Sequence, residues 1–229
     1  MRRISQQFIV LALIVASGSL LGAIPTDLWQ STRVTNPNQH VRTGAAGYPY
    51  RAKSKYILKE LDLKPGDIVV DIGAGDGFWA NKMARCVGDT GIIHASEISQ
   101  KKVNWLKKKC ADVHQIKPYL CKKDSTTLSE NSCDLAFLSQ TYHHLNLETR
   151  VDYLRHLHKV VKPMGRLCVI EKYIVIATRY KTHGTTLSRL AKEAEQAGWI
   201  PVRYELMTGT YHYIAIFVQK ALFPPEPTR

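Results

Sequence analysis

Apolar runs of strand length alternate with amphipathic runs of helix length from Lys64 to near the end of the chain. Such an alternation is typical of a parallel β-sheet whose strands are connected by helices. The last two runs, 202–207 and 211–218, are separated by three residues, which is too short for a parallel crossover, so they should pair antiparallel. We therefore predict an α/β fold with a doubly wound, mostly parallel seven-stranded sheet and an antiparallel last strand.

Composition places the chain among ordinary globular proteins. Of its 229 residues, 45% are hydrophobic and 22% are charged, which excludes a disordered or fibrous chain. This length suits one compact domain. Five cysteines form neither a C-x-x-C pair nor an even framework, so a disulfide scaffold and a zinc ribbon are disfavoured, and we predict no metal site.

A hydrophobic leader opens the chain. Arg2 and Arg3 precede an apolar run, 8–16, and no charged residue follows until Asp27. A basic start followed by an apolar stretch is typical of a secretory signal peptide. The uncharged stretch 4–26 is also long enough to span a bilayer, so an uncleaved membrane anchor is the alternative. We expect a membrane-associated or exported protein, and a location on the cytoplasmic side of the membrane is the alternative.

These features divide the chain into four segments. The segments are the leader 1–26, a linker or lid 27–50, the folded domain 51–220 and a tail 221–229. Tyr48 and Tyr50, just before the first predicted helix, could form part of a lid or belong to the core.

A glycine-rich turn follows the first strand. The run VVDIGAGDG, 69–77, stands where a strand ends and a helix begins. Gly73, Gly75 and Gly77 let the backbone approach a ligand closely, and N–H groups at a helix start favour an anionic group. A dinucleotide fingerprint needs its third glycine at position 78, where Phe78 stands instead. The turn is therefore predicted to bind something other than a pyrophosphate.

Acidic residues lie at or just after the carboxyl ends of the first three strands. Asp71 ends the first strand, Glu97 ends the second, and Asp124 with Ser125 follows the third. The carboxyl ends of parallel strands meet at one edge of the sheet, where open α/β folds bind ligands. There Glu97 could accept bonds from both hydroxyls of a ribose and Asp124 from the amine of a purine, which indicates an adenosine-type ligand. Each acid could instead be a turn cap, a solvated charge or a helix cap, but their correlated order favours a binding site.

From residue 51 to about 219 the chain resembles the class I S-adenosylmethionine-dependent methyltransferases, most of all their small single-domain members. The matching residues are the Asp71-to-Gly77 strand and turn, the acid Glu97, the Asp124-Ser125 pair, the 134–139 strand with QTYHHL after it, and the terminal antiparallel pair. The resemblance implies a Rossmann-like sheet and S-adenosylmethionine as the cofactor. It implies cofactor binding by Asp71, Gly73, Gly75, Gly77, Glu97, Asp124, Ser125 and Ser139.

The resemblance also implies that the loop after the fourth strand contacts both cofactor and substrate. His143 is the candidate general base, because a histidine titrates near neutrality. Tyr142 is the candidate for stacking on the methyl acceptor or orienting it. The alternative for either histidine of the loop is a structural role, which is favoured for His144. The acceptor is expected to be a small molecule or a protein side chain.

Other functions remain as rivals. A non-catalytic protein of the same fold, with or without bound cofactor, is the main alternative, and a nicotinamide oxidoreductase is a distant one. A nucleic-acid methyltransferase is disfavoured, because the fourth strand lacks the Asn/Asp-Pro-Pro-Tyr type of sequence that follows it in amino-methylating members.

Positive charge is concentrated in one part of the chain. The whole chain has 32 lysines and arginines against 19 acids, and between Lys101 and Lys123 there are eight lysines and one acid, Asp112. We call this stretch the lysine-rich flank. Its lysines are expected to cover a solvated helix face opposite Val103 and Leu106, and an anionic membrane surface is the expected partner if they bind one.

Overall fold

The computed structural model describes residues 49–173 and 184–222. The predicted leader, the linker up to Tyr48 and most of the predicted tail lie outside these ranges. Within them the helices are Ser54–Leu61 (α1), Phe78–Val87 (α2), Gln100–Lys109 (α3), Arg150–Val160 (α4) and Leu187–Gln196 (α5). The strands are Ile68–Ile72 (β1), Ile92–Glu97 (β2), Ile116–Leu120 (β3), Cys133–Ser139 (β4), Val161–Lys172 (β5), Trp199–Leu206 (β6) and His212–Gln219 (β7). Short 3-10 turns cover Pro49–Lys53, Tyr142–His144 and Lys220–Leu222.

The strands form one sheet in the order β3-β2-β1-β4-β5-β7-β6. β1 pairs in parallel with β2 on one side and β4 on the other, so the strand order reverses between β1 and β4. β7 runs antiparallel to both of its neighbours, β5 and β6. The predicted Rossmann-like sheet with an antiparallel last strand is confirmed. In such sheets ligands bind at the carboxyl ends of the strands, where the order reverses.

The fifth strand follows the helix before it without a loop. β5 starts at Val161, directly after α4. Val161 pairs with Cys133 and Arg166 pairs with Leu135, so four residues bulge between two paired positions. A Cβ on Gly165 would lie 2.8 Å from a backbone oxygen of β4, so glycine lets the bulge pack against that strand.

Apolar side chains pack on both faces of the sheet. In β1, Val69 faces one layer and Val70 the other, as the alternation of a strand requires. Met83 of α2 packs in the first layer and Leu157 of α4 in the second, and all four residues are 0% exposed. Burying a side chain of this size contributes roughly 1.5–3 kcal/mol. The two layers hold in place the strand ends whose side chains form the site.

Lysines cover the outer face of α3. Val103 and Leu106 of this helix are buried, whereas Lys101, Lys107 and Lys108 are exposed. The lysine-rich flank is therefore a solvated face in the structure. Across residues 49–173 and 184–222, no helix is long and apolar enough to cross a membrane.

Candidate active site

The glycine-rich turn joins β1 to α2 through a left-handed backbone. Gly73, Gly75 and Gly77 have φ angles of 70°, 59° and 69°, a region that favours glycine. A Cβ on Gly73 would lie 2.8 Å from the side chain of Thr141, so the turn packs directly against the segment after β4. The strand, turn and helix predicted around 69–77 are present.

The first amides of this turn are bonded within the protein. Gly73 and Ala74 donate their N–H groups to the carbonyl oxygen of Ser96 at 3.0 and 3.1 Å. The N–H of Gly75 donates to Oε1 of Glu97 at 2.8 Å. These three amides, which precede the start of α2 at Phe78, therefore do not contribute to the anion-binding helix start that the sequence suggested. The functional groups beside the turn are the carboxylates of Asp71 in β1 and Glu97 in β2, which suit a ligand with hydroxyl or cationic groups.

Two predicted acids, Asp71 and Glu97, lie buried beside the turn. They are 2% and 3% exposed, respectively. Burial, with the charges of Glu97 and Asp76, raises the pKa of Asp71 to about 7. Among the described residues, Oδ2 of Asp71 has no hydrogen-bond partner. Because buried polar atoms are normally hydrogen-bonded, this oxygen marks a place for a donor from a ligand.

The 3-10 turn before α1 connects the glycine turn to β4. Arg51 donates to both carboxylate oxygens of Asp76, at 2.6 and 2.9 Å. The hydroxyl of Tyr50 lies within hydrogen-bonding distance of Oγ of Ser139, at 2.9 Å, and Tyr50 is 1% exposed. Tyr50 is thus a core residue. Its partner Ser139, a predicted cofactor contact, lies at the carboxyl end of β4.

An aromatic cluster lies under the same edge of the sheet. The ring centroid of Tyr50 lies 6.1 Å from that of Trp79 and 4.5 Å from that of His212. Burial, helped by the charge of Lys172, lowers the pKa of His212 to about 4, so its ring is neutral at physiological pH. Nδ1 of His212 is a second buried polar atom without a partner among the described residues.

The chain turns sharply after β4. Gln140 has a φ angle of 55°, which is unusual for a residue other than glycine. Its side-chain Nε2 is buried and has no partner in the described part of the chain. Backbone strain of this kind clusters at functional sites. The predicted loop of Tyr142 and His143 follows directly.

Tyr142 lies in the second core layer rather than at the surface of the site. It is 0% exposed, and its hydroxyl donates to Glu193 of α5. The guanidinium carbon of Arg150 lies 4.6 Å from the centroid of its ring. Burial and the neighbouring Glu193 raise the pKa of Tyr142. This position gives Tyr142 a structural role, and it does not support the prediction that Tyr142 orients the acceptor.

His143, the candidate base, is bound by a carboxylate that the sequence analysis missed. Nδ1 of His143 lies 2.8 Å from Oε2 and 3.1 Å from Oε1 of Glu171. The backbone N–H of His143 also donates to Oε1, at 3.3 Å. The side chains of His143 and Glu171 are 8% and 0% exposed. Glu171 lies near the carboxyl end of β5, and that placement is the signal that could have identified it.

Asp124 and Ser125 lie in the loop after β3. Asp124 is exposed, and Oγ of Ser125 lies 3.5 Å from Nε2 of His156. The same ring nitrogen accepts a bond from the backbone N–H of Thr126 at 3.0 Å, so α4 holds this loop. The N–H of Cys121 donates to the carbonyl of the last residue of β2, at 2.9 Å, which keeps the loop at the edge where Glu97 lies.

Comparisons with known proteins agree with this architecture. Residues 69–165 match the family described as a methyltransferase domain. A demethylmenaquinone methyltransferase of Staphylococcus saprophyticus is 25% identical over 117 residues, which are 51% of this chain and 49% of that protein. A ubiquinone/menaquinone biosynthesis C-methyltransferase of Paraburkholderia phytofirmans is 25% identical over 159 residues, covering 66% of this chain and 65% of that protein. The chain therefore spans about half to two thirds of the length of these curated relatives.

A solved structure has the same fold. An S-adenosylmethionine-dependent methyltransferase from Aquifex aeolicus, 24% identical, superposes with a TM-score of 0.65 over 74% of this chain and 93% of its own. Residues 69–165 thus match a methyltransferase-domain family, and the predicted resemblance to the class I S-adenosylmethionine-dependent methyltransferases is confirmed. This family and fold imply S-adenosylmethionine as the cofactor.

The residues at the site fit that cofactor. S-adenosylmethionine carries ribose hydroxyls, an ammonium and a sulfonium, and buried carboxylates such as Asp71 and Glu97 supply acceptors and negative charge for such groups. A Cβ on Gly77 would lie 3.0 Å from Leu106, so the turn has little space for side chains. In the described residues, no group of three or more His, Cys, Asp or Glu side chains could hold a metal ion.

Proposed function

We propose that the chain is an S-adenosylmethionine-dependent methyltransferase. The observation that carries this proposal is one edge of the sheet, where the glycine turn after β1 and Glu97 of β2 adjoin the segment after β4 that contains His143. When bound, S-adenosylmethionine supplies a methyl group that is already activated for nucleophilic attack. The protein has to hold an acceptor in line with that group and exclude water, which can lower the barrier by about 7–11 kcal/mol.

Separate groups of residues are proposed to bind the cofactor and to handle a proton. Asp71 and Glu97 would accept hydrogen bonds from the cofactor, and the backbone of Gly73 to Gly77 would lie close to it. Ser139, Asp124 and Ser125 stay as predicted cofactor contacts at the same edge. His143 would take a proton from an acceptor that arrives protonated.

We favour a small-molecule acceptor over a protein side chain. The two relatives described above are named for methylation in menaquinone or ubiquinone biosynthesis, so a quinone-type acceptor is the first candidate.

The test is the formation of S-adenosylhomocysteine from S-adenosylmethionine by the full chain, with reduced demethylmenaquinone as the acceptor. A lysine-containing peptide serves as the protein-type acceptor. We expect turnover with the quinol and none in the His143→Gln variant. If the wild-type protein binds S-adenosylmethionine but turns over neither acceptor, the non-catalytic alternative is favoured.

We also propose that the lysine-rich flank and the leader bring the protein to an anionic membrane surface. Trp105 is 45% exposed on α3, and Nζ of Lys109 lies 4.6 Å from the centroid of its ring. Aromatic and basic side chains on one face are typical of binding to the interface of anionic membranes. The test is cosedimentation of the full chain with anionic and with uncharged lipid vesicles.

The leader has its own test. Mass spectrometry of the mature N-terminus distinguishes its two forms: a product that starts near Ile24 means cleavage, and an intact start in the membrane fraction means an anchor.

For the lysine-rich flank, the charge-reversal variant Lys107→Glu/Lys108→Glu should reduce binding to anionic vesicles. Binding that is equal for anionic and uncharged lipid would contradict the proposal for the flank.

A further inference from the structure

One buried carboxylate beside the site has no role in the proposed binding of the cofactor. Glu171 of β5 is 0% exposed. Among the described residues, its carboxylate accepts hydrogen bonds only from His143, through Nδ1 and through the backbone N–H. Burying a carboxylate is costly unless it is paired and hydrogen-bonded. The position of Glu171 therefore depends on His143.

The geometry restricts where the imidazole of His143 carries its proton. An ionised carboxylate only accepts hydrogen bonds, so Nδ1 must donate to Glu171 across the 2.8 Å contact. A neutral imidazole has one proton. When that proton is on Nδ1, the basic lone pair is on Nε2.

Other ionisable groups lie around this pair. The ring of His144 lies 4.0 Å from that of His143, between centroids. Burial and the charge of Glu171 raise the pKa of Tyr213 on β7, while Arg150 on α4 opposes this rise. The hydroxyl of Tyr213 therefore stays neutral and adds no negative charge beside His143. Glu171 is the carboxylate that contacts His143.

We propose that Glu171 is a positioning residue that holds His143 in the tautomer with its proton on Nδ1, so that Nε2 can accept a proton from the methyl acceptor. This inference rests on the proposed function and names its substrate class. An acceptor that needs a base is one whose nucleophile arrives protonated, such as a phenol-type or enol-type hydroxyl. A thioether or a free amine has its lone pair available and needs none.

A hydroxyl acceptor gives up its proton to His143 as it is methylated. The hydroxyl proton moves to Nε2 of His143, and the electron pair it leaves forms the new bond to the methyl carbon, either from oxygen or through the conjugated ring carbon. In the second case the ring carbon first keeps its hydrogen in a keto tautomer, and that hydrogen then leaves as a proton to solvent while the carbonyl oxygen takes up a proton. The electron pair of the broken carbon–sulfur bond stays on sulfur. His143 then carries two ring protons, and Glu171 stabilises the resulting positive charge before the extra proton leaves to solvent.

The test is nitrogen NMR of histidine-labelled full-length protein at a pH where imidazoles are neutral. The His143→Gln variant assigns the signals of His143 among the nine histidines. In the wild type we expect the Nδ1-protonated tautomer to exceed the other by about tenfold, as a hydrogen bond to a charged group implies. The Glu171→Gln variant should lower that ratio at least about fivefold, the order of a single such bond.

Matched controls separate this role from a general effect on the fold. Glu148→Gln removes the same charge from an exposed position near the turn of His143 and should leave the ratio unchanged. A ratio that Glu171→Gln does not alter would overturn the inference. If Glu171→Gln fails to fold, the wild-type spectrum decides: a dominant Nε2-protonated form overturns the inference, and a dominant Nδ1-protonated form supports it.

Cofactor binding distinguishes this inference from the proposed function. Glu171→Gln should leave the Kd for S-adenosylmethionine within about threefold of the wild type, because Glu171 contacts His143 rather than the residues proposed to bind the cofactor. Wild-type protein that does not bind S-adenosylmethionine would contradict the proposed function. An unchanged tautomer in a protein that does bind it would contradict only the role of Glu171.

Discussion

Arg51 binds both carboxylate oxygens of Asp76, at 2.6 and 2.9 Å, and thereby ties the segment before α1 to the glycine-rich turn. The guanidinium carbon also lies 4.4 Å from the ring centroid of Phe78, the first residue of α2. Asp76 in turn accepts a bond from the N–H of Phe78, at 3.2 Å. One arginine thus stabilises the turn and the start of the helix after it.

Replacing Arg51 should weaken cofactor binding without unfolding the protein. The side chains of Arg51 and Asp76 are 16% and 45% exposed, so water screens part of the pair. We expect Arg51→Met to raise the Kd for S-adenosylmethionine about fivefold, which corresponds to ~1 kcal/mol for a partly exposed pair. The control Arg155→Met breaks a pair with Asp152 that is more exposed and lies within α4. Equal affinities in both variants would contradict this role for Arg51.

Gly73→Ala should damage the site more than an equivalent change elsewhere. Both Gly73 and Gly209 have a left-handed backbone, which costs an alanine roughly 1–2 kcal/mol. At Gly73 the new Cβ would also lie 2.8 Å from the side chain of Thr141, whereas at Gly209 nothing lies within 4 Å.

Urea unfolding should therefore show Gly73→Ala less stable than Gly209→Ala by about 1–3 kcal/mol, the usual cost of overpacking. Only Gly73→Ala should weaken binding of S-adenosylmethionine. Equal losses of stability in the two variants, with normal cofactor binding in both, would contradict the close packing of the turn against Thr141.

Asp71 should make the stability of the cofactor-free protein depend on pH. Its pKa is raised to about 7 in the folded state, so the folded protein binds a proton more tightly than the unfolded chain does. The stabilisation is fully present below the unfolded pKa of about 4 and is lost as the pH rises towards 7.

Asp71→Asn removes this dependence. The variant should match the wild type near pH 4 and exceed its free energy of unfolding by up to about 4 kcal/mol above pH 8. Urea unfolding across this range, read as the difference between the two proteins, cancels the other titrating groups. A difference that does not change with pH would contradict a raised pKa.

Tyr142→Phe should affect stability and leave cofactor binding unchanged. The variant removes the part-buried hydrogen bond from the Tyr142 hydroxyl to Glu193, and a bond to a charged group contributes about 1.5–3 kcal/mol. Thermal unfolding measures this loss. Tyr204→Phe, on the exposed part of β6, is the control and should be neutral. Normal stability with impaired methyl transfer would instead restore the catalytic role predicted for Tyr142.

The strands and the glycine-rich turn could be predicted because their signals are local. The alternation of apolar runs and the glycine spacing after Asp71 are both read within short stretches of sequence. Arg51 and Asp76 lie 25 residues apart, and they meet only because the segment before α1 folds across the end of β1. His156 likewise contacts the loop after β3 only because α4 packs beside it.

The loop after β4 shows a different limit. Tyr142 and His143 are neighbours in the sequence, yet Tyr142 bonds Glu193 within the second core layer and His143 bonds Glu171 at the sheet edge. Residue type identifies both as candidates for chemistry. The direction of each side chain is set by the short 3-10 turn, which the sequence did not predict.

The most direct test of the account is calorimetric titration of the full chain with S-adenosylmethionine. Glu97→Ala and the exposed control Glu130→Ala are titrated beside the wild type. We predict that the wild type and the control bind alike and that Glu97→Ala raises the Kd at least about tenfold, as the loss of hydrogen bonds to a buried carboxylate implies. No binding by the wild type, or binding by Glu97→Ala equal to that of the wild type, would contradict the account.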